Sequence, residues 1–271
     1  MKNSSPIEQR LDTPVFIVST GRSGSQMISQ VLALHPLICS LHEPHPHLRA
    51  EAFTKWAGTA KKELIEKRIK KKRDDLIRQI RMNEFAFVES SHYVSHLIDE
   101  VCGMYQAKIV HQCRDGRDFV RSGLERGWYR DQSIDRKIKT WLRRKFLIEI
   151  GDAKVDHRLI PPAGLTTRFE KITWLWAEMH RTVINSLEKI PKERQFFLRI
   201  EDIDRQHIAG LLEFMEVPFD DGLLDRMLEV AMSRPGKSRK NTSPRPDEWP
   251  DADKKRFWEL AGTVMEQLGY R

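Results

Sequence analysis

The chain has 271 residues, of which 39% are hydrophobic and 32% are charged. A chain of this length can bury a sizeable core, and 12 Phe and 7 Trp among recurrent apolar residues argue against disorder. Lys and Arg outnumber Asp and Glu by 47 to 39, and the net charge of +8 favours an anionic ligand without identifying it.

The first half of the chain alternates apolar strands with helices. The first strand covers residues 15–19 and runs through a Gly- and Ser-rich loop into a helix that Pro36 ends. A second strand at 37–41 leads into the proline-rich segment 42–47. The apolar stripe that follows predicts helical structure over 48–82, with a basic outer face that we expect to be solvated.

The second half continues the alternation. Its predicted strands are 85–89, 107–113 and 196–200, and its predicted helices are 92–105, one from about 118, 134–148, 169–187, 204–216, 221–232 and 251–268. Two stretches, 151–167 and 233–250, are predicted to be irregular. Strands that alternate with helices predict one α/β domain over residues 1–271. We expect three layers, with a central parallel sheet of about five strands flanked by helices.

Cysteine usage and the amino-terminal sequence bear on location. Cys39, Cys102 and Cys113 have no paired or metal-type spacing, which favours a reducing compartment. The polar first 14 residues lack the apolar segment of a secretory signal. No apolar run approaches the roughly 18 residues of a membrane span. We therefore expect a cytoplasmic protein.

The loop after the first strand has the features of an anion site. Gly21 and Gly24 allow backbone N–H groups to turn inward, and the helix that starts near Ser25 adds its positive amino-terminal end. Arg22 supplies a full charge, and Ser23 supplies a hydroxyl. The Walker A pattern GxxxxGK[ST] is absent, as is its Mg²⁺-binding signature. The alternative is an ordinary turn between a strand and a helix.

A second candidate site follows the strand at 107–113. Arg114 ends that strand, and Ser122 lies eight residues further on, in the next helix. Because parallel strands end at the same edge of a sheet, we expect Arg114 to lie beside the loop at 20–25. The alternative is that Asp115 caps the helix and that Arg114 is simply solvated.

Together these segments resemble the sulfotransferases that use 3′-phosphoadenosine 5′-phosphosulfate (PAPS). The segment TGRSGSQMISQVLALHP is similar to their 5′-phosphosulfate loop, and HQCRDGRDFVRSG is similar to their 3′-phosphate motif. WLWAEMHRTV and FFLRIEDI resemble segments of the branch with tyrosylprotein and bacterial carbohydrate sulfotransferases. Gly236 to Arg239 resemble the basic loop over the adenosine phosphates. The resemblance extends from about Thr13 to Gly269.

The resemblance implies a P-loop-like fold, PAPS as the donor and no metal. The acceptor would be a hydroxyl or an amine, on a carbohydrate, a peptide or a small molecule, and no nucleic acid is expected. The implied donor-binding residues are Arg22 at the phosphosulfate bridge, Ser23, Gly24, Ser25 and Gln26 on the 5′ side, Arg114 and Ser122 at the 3′-phosphate, and Lys237 and Arg239 in the basic loop. Two positions depart from the family pattern: Gln26 replaces a Thr, and Gly116 replaces a Pro.

Sulfuryl transfer resembles in-line phosphoryl transfer, so cations are needed on the leaving group and a base on the acceptor. Arg22 suits the first role. Two residues compete for the second: Glu43 at the end of the second strand, and His92 after the third strand. We expect Glu43 to be the base and keep His92 as the second candidate. Each residue also has an alternative, non-catalytic role. Glu43 would then form an ion pair with a basic neighbour, and His92 would simply lie at the start of a helix.

Two segments are predicted to shape the acceptor side, a helical insertion at 48–82 and an irregular region at about 128–167. The histidines of segment 42–47 have awkward spacing for a metal, and no metal is expected.

Two other functions remain open from the sequence. One is a nucleotide-dependent kinase with a degenerate phosphate loop. The other is a non-catalytic protein of the same fold that binds anions or nucleic acid.

Overall fold

The computed structural model describes residues 13–130, 159–233 and 243–271. Five parallel strands form one sheet in the order β2-β3-β1-β4-β5. The strands are β1 (Val15–Val18), β2 (Ile38–His42), β3 (Ala86–Ser90), β4 (Lys108–Cys113) and β5 (Gln195–Arg199). The predicted α/β fold class with a central parallel sheet is confirmed.

Helices cover both faces of the sheet. They are α1 (Ser25–Leu32), α2 (Arg49–Trp56), α3 (Lys62–Met82), α4 (Ile98–Tyr105), α5 (Gly116–Glu125), α6 (Arg168–Leu187), α7 (Arg205–Phe214), α8 (Asp221–Met232) and α9 (Asp251–Gln267). None of the described helices is long and apolar enough to span a membrane. The predicted helix at 134–148, and residues 151–158 of the irregular stretch at 151–167, lie outside the described residues.

The central strand β1 shows why the sheet needs helices on both faces. Its four residues are all buried and apolar. Val15 and Ile17 pack into a cluster with α1, α7 and α8. Phe16 and Val18 pack into another cluster, with α3 and α4. Alternate side chains of an apolar strand thus form two cores, as expected for a parallel sheet. A third cluster joins α5, α6 and α9.

The segment predicted to be helical over 48–82 forms two helices. Helix α2 ends at Trp56, and α3 begins at Lys62. Gly58 between them has φ +63°, the left-handed conformation that ends many helices. The N–H of Thr59 then donates to the carbonyl of Thr54 at 3.0 Å. This break was not predictable from the sequence, because apolar residues continue at helical spacing on the other side of the turn.

Two expectations need correction. Residues 92–105 do not form one helix, because a short 3₁₀ turn at Val94–His96 precedes α4. The basic face of α3 is not solvated throughout. Arg73 is only 1% exposed and forms an ion pair with the buried Glu89 of β3. Lys67 and Lys70 on the same helix are exposed, as expected.

Candidate active site

The loop between β1 and α1 forms a cradle of backbone N–H groups. Gly21, Arg22 and Gly24 have φ values of 70°, 56° and 83°. Helix α1 then begins at Ser25, and no side chain caps it at Gly24. The first N–H groups of a helix have no partner within the helix. Consecutive turned N–H groups followed by a helix start are an arrangement that binds anions.

Glycine is required at position 24 for a second reason. A Cβ there would lie 2.7 Å from Cδ1 of Ile200, which follows β5. A Cβ built on Gly21 would instead meet Cγ of His92 at 3.7 Å. The loop is therefore enclosed by residues that follow β5 and β3.

Side chains of β3, β4 and the 3₁₀ turn after β3 hold the loop in place through hydrogen bonds. Ser95 Oγ donates to the Ser19 carbonyl at 2.8 Å and accepts from the Ser19 N–H at 3.0 Å. Ser90 Oγ donates to the Ser25 carbonyl at 3.0 Å. Gln112 Nε2 donates to the Ser23 carbonyl at 2.7 Å. The carbonyls of Ser19, Ser23 and Ser25 thus accept hydrogen bonds from side chains of neighbouring segments.

Ser23 gives a direct test of whether the loop fits an anion. Its hydroxyl oxygen is buried and has no hydrogen-bond partner among the described residues. Buried polar groups without partners are rare in folded proteins and call for an explanation. A hydroxyl donor next to a cradle of N–H groups fits the oxygens of a phosphate or sulfate group.

Arg114 lies beside this loop, as the sequence predicts. Its Nη1 donates to the Arg22 carbonyl at 3.2 Å, and its Nη2 contacts Asp118 at 3.1 Å. The pKa of the Arg22 guanidinium is lowered by partial desolvation, and then by the positive charges of Arg126 and Arg114. Three arginines therefore share one electrostatic environment at this edge of the sheet, which favours an anion.

Arg126 is a residue that the sequence analysis missed. Asp118, Ser122 and Arg126 follow one another at intervals of four, so they share one side of α5 and its end. Ser122 is half-buried there. Ser122 was predicted because it lies eight residues after Arg114. Arg126 lies four residues further along the chain, about one helical turn, and the same reasoning applied to that position would have found it.

The start of α5 explains one departure from the family pattern. Asp115 caps the helix by accepting from the Arg117 N–H at 2.8 Å, as the plain alternative predicted. Arg114 is nevertheless held in place, because Trp176 Nε1 donates to its carbonyl at 3.0 Å. A Cβ at Gly116 would lie 3.0 Å from the Trp176 ring and 3.1 Å from Met265 Sδ. Glycine makes room for this packing.

The two candidate bases, Glu43 and His92, form one pair. Glu43 follows β2, and His92 comes two residues after the neighbouring strand β3. The Glu43 N–H donates to the Ser90 carbonyl at 3.0 Å, which extends the pairing of these strands by one residue. Glu43 Oε1 lies 2.6 Å from His92 Nδ1. A carboxylate accepts hydrogen bonds, so Nδ1 carries the proton.

A narrow cavity opens beside His92. It is lined by Arg49, Ala52, Phe53, His92, Tyr93, His96, Leu159 and Met179. Arg49 donates to the Tyr93 hydroxyl through Nε at 3.1 Å and Nη2 at 3.0 Å. Burial lowers the pKa of His96 to about 4, with a smaller contribution from His92. The wall of the cavity is thus mainly apolar and aromatic, with one guanidinium.

The other predicted site residues fall in two groups. Ser25 is buried at the start of α1, and Gln26 is exposed next to it. Lys237 and Arg239 lie outside the described residues. Around the histidines of segment 42–47, as elsewhere in the described ranges, no three His, Cys, Asp or Glu side chains group as metal ligands.

A parallel sheet with an anion cradle after its central strand defines the P-loop-like class of α/β proteins. Within that class, a family model described as "Sulfotransferase domain" matches residues 12–257. Because this match covers most of the chain, the protein belongs to the sulfotransferase family and is an enzyme of that kind. No curated protein matches the chain at a significant level.

Solved structures of sulfotransferases share the fold. The sulfotransferase domain from the curacin biosynthetic pathway is 16% identical, with a TM-score of 0.53 over 96% of this chain and 98% of that one. The domain from the Synechococcus PCC 7002 olefin synthase is 15% identical, with a TM-score of 0.51 over 93% and 95%. Sulfotransferase STF9 from Mycobacterium avium is 12% identical, with a TM-score of 0.53 over 96% and 78%. At these identities the likeness shows the fold alone.

Proposed function

We propose that the protein transfers the sulfuryl group of PAPS to a hydroxyl (or amine) acceptor, with the Glu43–His92 pair as the general base. The observation that carries the proposal is the position of His92. Its ring contacts Glu43 on one side and borders the anion loop at Gly21 on another. A base and an anion cradle side by side are what transfer of a charged group to a hydroxyl needs.

The donor side of the site is built from positive charge and N–H groups. Arg22 and the loop at Ser23–Ser25 would hold the 5′-phosphosulfate, with Gln26 at the rim. Arg114 and Ser122 would hold the 3′-phosphate, and the charge of Arg126 adds to theirs. Donors aimed at charge that develops on a leaving group are worth about 10²–10³ in rate each. Lys237 and Arg239 are proposed to cover the adenosine phosphates.

On the acceptor side, Glu43 accepts the Nδ1 proton of His92 and thereby orients the imidazole ring. Nε2 is then the ring nitrogen that takes the proton of the acceptor hydroxyl. A positioned base of this kind contributes about 10²–10⁴ in rate. PAPS supplies the activated sulfuryl group, and no step assigned to the residues of this chain requires a metal.

The cavity at His92 is our candidate for acceptor entry. Arg49 and Phe53 on its wall come from the predicted insertion at 48–82, and Leu159 comes from the predicted acceptor-side region at 128–167. Both segments were expected on this side from the sequence. The acceptor is a carbohydrate, a peptide or a small molecule that presents a hydroxyl group to His92.

Binding of the donor product tests the donor half of the proposal. Adenosine 3′,5′-bisphosphate and AMP are titrated separately into the protein by calorimetry, each with and without EDTA. We expect the bisphosphate to bind at least 10-fold more tightly than AMP, with no effect of EDTA. Equal affinities would remove the 3′-phosphate site. Binding that EDTA abolishes would favour the kinase alternative, because γ-phosphoryl transfer depends on Mg²⁺.

A further inference from the structure

Arg73 and Glu89 form an ion pair in the interior, between α3 and β3. Arg73 is 1% exposed and Glu89 is 0% exposed. Arg73 Nε contacts Glu89 Oε2 at 2.6 Å, and Nη2 contacts Oε1 at 2.9 Å. Buried ion pairs add little net stability, since the cost of removing both charges from water offsets their attraction. Net stability therefore does not account for the presence of this pair.

The same guanidinium holds the loop that follows Glu43. Arg73 Nη1 donates to the Pro46 carbonyl at 2.9 Å, and Nη2 lies 3.4 Å from the Pro44 carbonyl. The preceding residue, Lys72, donates from Nζ to the His47 carbonyl at 2.7 Å. One turn of α3 thus contacts three carbonyls of the segment 44–47.

Glu43 needs such support because of its backbone. Its φ of +46° lies in the left-handed region. That region is unfavourable for a residue with a side chain, so the surrounding structure must hold it there. The Ser90 carbonyl holds the N–H of Glu43 on one side. The contacts of Arg73 and Lys72 hold the chain that leaves Glu43 on the other side.

The Arg73–Glu89 pair and the Glu43–His92 pair also interact through their charges. Burial raises the pKa of Glu89, Arg73 lowers it, and the nearby charge of Glu43 raises it. Glu43 and Glu89 are therefore close enough to repel each other. Without the guanidinium of Arg73, a second carboxylate would lie behind the Glu43–His92 pair with no opposite charge.

We propose that Arg73 is a positioning residue for sulfuryl transfer: it fixes the loop at 44–47 and so sets the Glu43 carboxylate against His92. The proposal rests on the role given above to the Glu43–His92 pair. Arg73 lies behind the Glu43–His92 pair and is not assigned a contact with donor or acceptor. It acts through the backbone that carries Glu43.

The principal test removes both charges at once, in the variant Arg73→Met/Glu89→Leu. Apolar replacement of a whole buried ion pair is often neutral or stabilising, so this variant is expected to fold. We expect its kcat to fall at least 10-fold, with the affinity for adenosine 3′,5′-bisphosphate within twofold of the parent. A kcat equal to that of the parent would overturn the proposal. The matched control, Lys108→Met/Glu216→Gln, removes an ion pair at the amino-terminal end of β4 and should leave kcat unchanged.

A spectroscopic measurement needs no acceptor. Long-range ¹H–¹⁵N spectra of the imidazole rings at pH 8 report which nitrogen carries the proton, and His92 is assigned by its loss in His92→Asn. The parent should show His92 protonated on Nδ1, and the double variant should show a mixture of both tautomers. An unchanged His92 signal in the double variant would refute the positioning role.

Arg73→Lys covers the case in which the double variant fails to fold. Lysine keeps the charge opposite Glu89 but has a single nitrogen, so it does not span the carboxylate and the loop carbonyls together. We expect the same changes in kcat and in the His92 signal. Parental values for Arg73→Lys would overturn the proposal. Full activity of Glu43→Gln, measured alongside, would instead remove the proposed base and leave the His92 spectrum as the test of positioning.

Discussion

Desolvation lowers the pKa of Arg22 in the loop after β1, and the nearby charges of Arg126 and Arg114 lower it further. Arg114 contacts the loop carbonyl and Asp118 at the outer side of the site. Arg22 belongs to the cradle itself. An arginine at the adenosine end should matter for binding, whereas one at the reacting group should matter for rate.

We therefore expect Arg114→Ala to weaken binding of adenosine 3′,5′-bisphosphate by about 1.5–3 kcal/mol, the usual worth of a hydrogen bond to a charged group. Arg22→Ala should reduce kcat more than affinity, because the charge it faces grows in the transition state. Titration calorimetry and rate measurements on both variants test this. Lys70→Ala, which removes an exposed charge from α3, is the control. Binding by Arg114→Ala at the strength of the parent would show that the assignment is wrong.

Because Glu43 and His92 are in contact, we expect the turnover losses of their variants to combine differently from those of two independent residues. Glu43→Gln should bind the bisphosphate normally and lose about 10²–10⁴ in turnover. If the two residues act as one unit, the variant Glu43→Gln/His92→Asn should lose no more than the worse single variant. Steady-state kinetics on the three variants measures this. Losses that multiply would mean that the residues act separately.

Among the individual site residues, some positions were predictable from the sequence. The positions of Arg22 and Arg114 follow from strand ends, because parallel strands share one edge. The pairing of Glu43 with His92 was not predictable, because it depends on β2 lying next to β3 in the sheet. The alternation of strands and helices does not fix that order. Arg73 was predicted to be solvated because a run of basic residues carries no sign of a single buried partner.

At the scale of elements, the break between α2 and α3 shows the limit of periodicity. Apolar residues on both sides of Gly58 fit one helical stripe, so the sequence predicted helical structure over 48–82 without placing a break. The strands were predicted to within a residue or two, because short apolar runs bounded by loops have few alternatives. Gly58 lies in the turn that separates the helix lining the cavity from the helix that holds segment 44–47.

Gly58→Ala tests the origin of this break. Nothing lies within 4 Å of a Cβ built at Gly58, so the cost comes from its φ of +63° alone. We expect a loss of about 1 kcal/mol in the free energy of unfolding, measured by urea denaturation. Gly103→Ala, also with open space but inside α4, should instead gain about 0.5–1 kcal/mol. The same sign of change in both variants would contradict this explanation.

At the scale of the whole molecule, a buried histidine pair joins the sheet to α6. His111 Nε2 of β4 lies 2.8 Å from His180 Nδ1. Burial lowers the pKa of His111 to about 3, and burial followed by the His111 charge lowers that of His180 well below its usual value. Both rings are therefore neutral in the folded protein at pH 7. The sequence predicted these elements but gave no sign of the pair.

This pair predicts acid sensitivity. The unfolded state takes up protons at its histidines as the pH falls through about 6.5, while the folded state does not. Stability should thus be fully present above about pH 7 and be lost progressively below it, by about 1.4 kcal/mol per buried ring at pH 5.5. Urea denaturation at pH 7.5 and 5.5 measures the loss. His111→Gln/His180→Leu should reduce the dependence without abolishing it, because burial also lowers the pKa of His96, and the exposed control His42→Gln should not reduce it. A parental pH dependence in the double variant would refute this origin.

The most direct test of the proposed function is transfer of label from ³⁵S-labelled PAPS to a panel of carbohydrate, peptide and phenolic acceptors in the presence of EDTA. We expect a labelled acceptor with the parent protein and a loss of about 10²–10⁴ in that rate with Glu43→Gln, while Lys70→Ala behaves as the parent. Absence of labelled product with every acceptor, together with labelling from [γ-³²P]ATP that requires Mg²⁺, would contradict the proposed function.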